Sequence, residues 1–327
     1  MPYSADVVGR ARYILAQQKE SLQSQYRQRL QEAYEKVPRL RQIDLELRKT
    51  MTQAAQAVFT QGGDAVAAME QVKKENLALQ QERQMLEQTH FTPGYLEEGT
   101  VCPQCGGSGY LGSRMCRCLH SLCVAEQKKD LSRLCTGYER FENFRLDLYS
   151  DRLDRDLGVT PRQVMERTFE RCRQYASSFQ PGMGNLLFNG NTGLGKTFLS
   201  ACIADAVTDK GFSVVYESAP QLFSKLEQDR FEPTDRTRAE AEKIRTCDLL
   251  IIDDLGTEMP GNFVTAAFYA LLNDRLLEEK SMVISTNLNV AEIGQRYSNQ
   301  IASRLMGSFR ALTFLGEDIR IMKNRGI

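Results

Sequence analysis

The feature that most constrains this 327-residue chain is the octapeptide Gly190-Asn191-Thr192-Gly193-Leu194-Gly195-Lys196-Thr197, which follows an apolar run and precedes a helical pattern. Its glycines let the backbone curl so that successive N–H groups face phosphate oxygens. The helix that opens at Thr197, read as far as Val207, adds a favourable dipole. Lys196 is placed to reach the β and γ phosphates and Thr197 to ligate Mg²⁺, so ATP with Mg²⁺ is the expected ligand pair. A loop of this kind rests on an apolar strand, here Leu186-Leu187-Phe188.

The flanking sequence keeps to that plan. A helix is read from about Arg162 to Phe179, followed by five strand candidates alternating with amphipathic helices: Asn185 to Asn189, Ser213 to Glu217, Asp248 to Asp253, Met282 to Thr286 and Ala311 to Leu315. That alternation predicts an α/β domain with a largely parallel sheet. The third strand ends in Asp253-Asp254. The expectation is that Asp253 holds the metal through water from a neighbouring strand, while Asp254 orients or deprotonates the attacking water. Asp253 lies 57 residues beyond Lys196, which suits two crossovers. After the fourth strand comes Ser285-Thr286-Asn287. An amide there can hold a lytic water, although Asn after a strand is also ordinary turn chemistry.

Upstream, the composition differs. Residues 1 to about 90 are rich in Gln, Glu, Arg, Leu and Ala, with apolar residues at three- and four-residue steps, which predicts helices in a hairpin or coiled coil. Pro38 marks a break or the first turn of a new helix. A later helix carries Val66, Met69, Val72, Leu77, Leu79 and Leu86, with Asp64 after Gly62-Gly63 as its N-cap candidate. Then comes Cys102-x2-Cys105-x10-Cys116-x-Cys118, a four-thiolate set suited to a closed, structural Zn²⁺ site in which glycines let backbone amides turn toward sulfur. His120 and Cys123 lie near enough to replace Cys116 or Cys118. Cys135, Cys172, Cys202 and Cys247 lack this clustering, and the last three read as buried small hydrophobes. Between the cysteines and the α/β region, Leu134 to Ser150 carries Tyr138, Phe141, Phe144 and Tyr149, read as a tether with anchor residues.

Charge excludes a globally polybasic nucleic-acid binder, since the chain has 42 basic and 42 acidic residues. The segment from Met1 to Gly99 has 13 of each, so a protein partner is expected for the arm; dimerisation of the chain through its heptad-like pattern is the alternative. No apolar stretch approaches the length of a membrane span and no signal-peptide core is present, so a soluble, cytoplasmic protein with reduced cysteines is expected.

From about Tyr138 onward the chain resembles the AAA+ ATPase module of DnaC/DnaI-type replicative helicase loaders, whose relatives include IstB-type transposition helper ATPases. The resemblance rests on Gly190 to Thr197, Leu249-Leu-Ile-Ile-Asp-Asp-Leu-Gly256, Ile284-Ser-Thr-Asn287, Ile301-Ala-Ser-Arg304-Leu305 and Gly316-Glu-Asp-Ile-Arg320. It implies that Lys196 and Thr197 are the Walker A pair, Asp253 and Asp254 the Walker B pair, and Asn287 sensor 1. It further implies that Arg304 is an arginine finger serving the next subunit and that Arg320 is the sensor-2 arginine. Many AAA+ proteins carry Glu where this chain has Asp254, and the shorter side chain implies slow turnover.

The implied organisation is a partner-binding helical arm over 1–99, a zinc-binding module over 100–135, a linker over 136–160 and the AAA+ ATPase domain over 161–327. The arm followed by a cysteine cluster resembles the helicase-binding, zinc-containing region of DnaI-type loaders; IstB-type proteins lack an obvious cluster there. The implied function is ATP-dependent loading of a DnaB-type replicative helicase onto single-stranded DNA, with homo-oligomer assembly on ATP binding. The alternative is an IstB-like helper that recruits a transposase to DNA. Because residues 181–327 hold 16 basic and 19 acidic groups, single-strand binding is expected to depend on subunit assembly.

Overall fold

The computed structural model describes residues 3–59, 65–131, 137–155 and 158–324. Asp64 with Gly62-Gly63, read as a helix start, and Cys135 lie outside the described residues. The chain divides into two compact units, one of Arg12–Cys116 and one of the N-terminal stretch to Ala11 together with Arg117 onward.

The first unit is built from helices. It takes in most of α1 (Ala5–Lys36), then α2 (Pro38–Phe59) and α3 (Ala65–His90). Pro38 opens α2, where its fixed φ and missing N–H cost nothing. The pairs Arg39–Glu82, Asp44–Arg83 and Thr50–Asn76 run α2 antiparallel to α3. Arg39 grips Glu82 with both Nε and Nη2, each at 2.8 Å. Ala33, Val37 and Leu40 form a small core with Tyr34, Leu86, Phe91 and Leu96. A two-residue hairpin, β1 (Tyr110–Leu111) with β2 (Arg114–Met115), closes the unit.

The second unit carries the sheet. The N-terminal stretch packs by burying Tyr3, Val7, Val8 and Ala11, and Arg10 pairs with Glu126 and Asp130 of α4 (Arg117–Leu131). Two 3-10 turns, Phe141–Asn143 and Leu146–Leu148, lead to α5 (Pro161–Ser178). The chain continues through β3 (Asn185–Asn189), α6 (Lys196–Asp209), β4 (Val214–Ser218), α7 (Ala219–Phe231) and α8 (Asp235–Thr246). It ends with β5 (Leu249–Leu255), α9 (Asn262–Leu277), β6 (Ser281–Thr286), α10 (Val290–Arg296), α11 (Asn299–Ser308), β7 (Phe309–Thr313) and α12 (Ile319–Asn324). All five strands are parallel, in the order β4-β5-β6-β3-β7.

Alternate strand residues feed opposite faces, as the two-residue period requires. Leu186, Phe188, Leu249, Ile251 and Val283 join α5 and α6 in one core; Leu187, Leu250, Ile252, Met282 and Ile284 join α7 to α11 in the other. Both faces are covered, which is why β5 reads as an unbroken apolar run. Cys172, Cys202 and Cys247 are buried in these layers. Arg275 of α9 is buried as well, its guanidinium donating to the carbonyls of Ile244, Arg245, Cys247 and Ser281. It thereby satisfies backbone acceptors at the end of α8 that would otherwise lie dry.

One expectation is corrected here. The acid-bearing strand β5 is not a neighbour of the loop-bearing strand β3, because β6 lies between them. Among the described residues no helix is long and apolar enough to cross a membrane.

Candidate functional site

The site forms where β3, β5 and β6 end. Leaving β3, the chain turns through the glycine loop, and Lys196 becomes the first residue of α6. At Gly193, with φ +75°, an added Cβ would fall 2.0 Å from an Asp318 carboxylate oxygen. A Cβ there would displace the Asp318 carboxylate, and the positive φ itself favours glycine; the segment entering α12 lies on the loop, where the Ile319 N–H donates to the Gly193 carbonyl at 3.0 Å. From the other side the Tyr149 hydroxyl donates to the Leu194 carbonyl at 2.9 Å, and Phe144 stacks on the Tyr149 ring. The aromatic string thus braces the phosphate loop.

Lys196 is 4% exposed, and its ammonium donates to the carbonyls of Gly190 and Asn191, both at 2.7 Å, and to Asn287 Oδ1 at 2.5 Å. Burial pushes its pKa down, while the charges of Asp254 and Asp253 work to raise it. Asp253, at the end of β5, accepts from Ser285 Oγ at 2.5 Å on one oxygen and from Tyr216 at 3.0 Å on the other. The same Tyr216 hydroxyl lies 3.4 Å from the Thr197 carbonyl, so the acid and the head of α6 meet at one phenol. Asp254 has a left-handed backbone, φ +54°, at a register shift between Ile252 and Leu255. Burial raises its carboxyl pKa, the charge of Asp253 adds to this, and Lys196 and Arg320 oppose it. Arg320 is exposed on α12, yet its charge acts on both Lys196 and Asp254.

The structure therefore brings Gly190 to Thr197, Asp253, Asp254, Asn287 and Arg320 into one neighbourhood. Arg304 is elsewhere: on α11 its guanidinium donates to the Tyr269 hydroxyl at 2.8 Å and lies 4.9 Å from that ring's centroid. Among the described residues it makes no hydrogen bond or ion pair with the phosphate-loop cluster. Sequence reasoning missed Tyr216, read Tyr149 only as an anchor of the tether, and assigned no role to Ser285 or Asp318. Ser285 and Asp318 each sit inside a motif, whereas Tyr216 carried no signal. The Thr197 hydroxyl and the Asp253 carboxylate are hard oxygen donors, the type that suits Mg²⁺.

The cysteine set is compact. One sulfur from each of Cys102, Cys105, Cys116 and Cys118 lies within 4.8 Å of the others. Cys102 and Cys116 are 3.8 Å apart, which matches the edge of a tetrahedron with Zn–S bonds of about 2.3 Å. The Gly109 N–H donates to Cys105 Sγ at 3.3 Å, as thiolate ligation favours. His120 instead meets the Tyr3 hydroxyl at 3.1 Å, and Cys123 is fully buried with its thiol pKa raised by burial to about 11.

Comparison with known proteins bears out the resemblance seen in the motifs. Residues 166–313 match the family described as IstB-like ATP binding protein. With the parallel sheet and the glycine loop, this fits a nucleotide-binding α/β region. The replicative helicase loader DnaC of Escherichia coli (strain K12) is 22% identical over 136 residues, 41% of this chain and 55% of that protein. The insertion sequence IS232 putative ATP-binding protein of Bacillus thuringiensis subsp. berliner is 28% identical over 142 residues, 42% of this chain and 56% of that protein. The chain thus spans little more than half the length of these relatives. A solved structure, the crystal structure of the DnaC helicase loader, aligns with a TM-score of 0.44 at 20% identity, covering 54% of this chain and 98% of that one.

Proposed function

We propose that this protein is an ATP-dependent loader of a DnaB-type replicative helicase onto single-stranded DNA, with ATP binding and hydrolysis switching the assembly of its copies. In this reading Lys196 and the loop amides hold the β and γ phosphates, and Thr197 with Asp253, acting through water, holds Mg²⁺. The bound ion supplies charge neutralisation at the phosphates. Asp254 and Asn287 orient the attacking water, and Arg320 steadies the γ-phosphate of its own site. Arg304, lying outside that site, serves the site of a neighbouring copy, where a guanidinium stabilises developing phosphoryl charge. The helical arm binds the helicase, and Zn²⁺ held by Cys102, Cys105, Cys116 and Cys118 staples the segment that follows it.

The observation that carries this choice is the four-sulfur cluster following a helical arm, an arrangement that resembles DnaI-type loaders. The second reading, a transposition helper recruiting a transposase, is favoured by the family match over residues 166–313 and the 28% identity to the IS232 protein. Capture experiments with the full-length protein, ATP and Mg²⁺ against a DnaB-type helicase and against an IS21-type transposase separate them. Retention of the helicase alone is expected; retention of the transposase alone overturns the loader reading.

A further inference from the structure

We propose that Ser285 is a positioning residue that ties the two acids of the site together. The inference rests on the ATPase reading of Asp253 and Asp254. Ser285 is wholly buried on β6, the strand inserted between the phosphate-loop strand and the acidic strand. Its single hydroxyl does two things. It donates to Asp253 Oδ1 at 2.5 Å, and it accepts the Asp254 backbone N–H at 2.8 Å.

The second bond matters because Asp254 sits where the β5–β6 ladder shifts register. In a regular strand consecutive side chains point to opposite faces, so two adjacent acids could not share one site. The bulge re-aims Asp254, as bulges beside active sites do, and its left-handed backbone is strained for a residue with a Cβ. An N–H displaced from the ladder and left dry would add to that cost. The Ser285 hydroxyl receives this N–H and, with its own proton, holds the neighbouring carboxylate in orientation. Tyr216 grips the other oxygen of Asp253 from β4, so the carboxylate is held from both flanking strands. Two residues beyond Ser285, Asn287 takes the Lys196 ammonium, which makes the end of β6 the common anchor of lysine and acids.

The test compares full-length parent, Ser285→Ala and Ser285→Thr. A fluorescent ATP analogue is titrated in EDTA and across a Mg²⁺ series, and phosphate release is followed separately. Binding in EDTA depends on the loop and Lys196, so Ser285→Ala should stay within about twofold of the parent. Its Mg²⁺ midpoint should rise, and its turnover at saturating Mg²⁺ should fall, each about tenfold, the scale of one lost hydrogen bond to a charged group. Thr keeps the hydroxyl and should recover both. An unchanged Mg²⁺ midpoint and turnover in Ser285→Ala overturns the proposal, as does an equal loss of binding in EDTA, which marks a general packing role. If the Ala variant does not fold, Ser285→Cys, a weaker hydrogen-bonding group of similar size, is read the same way. A parent whose nucleotide affinity ignores Mg²⁺ would instead defeat the assignment of Asp253, a separate failure.

Discussion

Asp254 shows how a local backbone state decides a side chain. Where many AAA+ proteins carry Glu, this chain places Asp at φ +54°, a region that Asp and Asn tolerate far better than most residues with a Cβ. The shorter carboxylate suits that turn. Its raised pKa sets the sign of a prediction. The folded state holds the proton more tightly than the unfolded chain, so the ionised group costs stability, increasingly as pH rises from its unfolded value of about 4 through the elevated folded one. Asp254→Asn should therefore lose most turnover yet raise the thermal midpoint at pH 8 by about 2 °C, a gain that disappears as pH approaches about 4. Thermal unfolding at several pH values checks it; a lower midpoint at pH 8 contradicts it. Lys196, Asp253 and Asn287 were legible because each closes a motif. Tyr216 was not, since a tyrosine inside a strand looks like any other core aromatic until its hydroxyl is seen on Asp253.

At the scale of elements, the apolar runs located all five strands of the parallel sheet, and their ends moved by at most two residues. The last strand begins at Phe309 and not at Ala311, because Phe309 both ends α11 and enters the core. Helix α5 illustrates a boundary written in residues: Thr160 and Gln163 form a reciprocal capping box around Pro161. Thr160→Ala should cost about 1 kcal/mol of unfolding free energy in denaturant titration without altering nucleotide affinity. A change under about 0.3 kcal/mol would show that α5 is held by its buried face alone. Strand order was beyond local pattern. That β6 would come between β3 and β5 depends on which helices cover which face, and nothing in the spacing of Lys196 and Asp253 distinguishes adjacent strands from separated ones.

At the scale of the whole molecule, the sheet-bearing unit and the helical unit draw on different physics. The former buries two cores against a parallel sheet; in the latter, part-exposed ion pairs such as Arg39–Glu82 join α2 to α3 beside the buried Leu40 and Ile43. A metal held by the cysteine set would add its binding free energy to folding. Protein purified without chelators should hold about one zinc per chain by elemental analysis, and Cys116→Ser should lose it. Zinc near zero in the parent, or full retention in Cys116→Ser, would remove the metal from the account.

Taken alone, the amino-acid order determined the phosphate loop, the acidic strand end, the parallel α/β class, the helical arm and the cysteine set, because each depends on neighbours within a few residues or on a fixed period. Only the tertiary structure decided which distant groups share a site: that β6 lies between the loop-bearing and acid-bearing strands, that Ser285 and Tyr216 hold Asp253, that Tyr149 and Ile319 brace the loop, and that Arg304 stands apart. Those relations follow from how strands are ordered and faces are covered, and such long-range packing leaves no local trace in the chain.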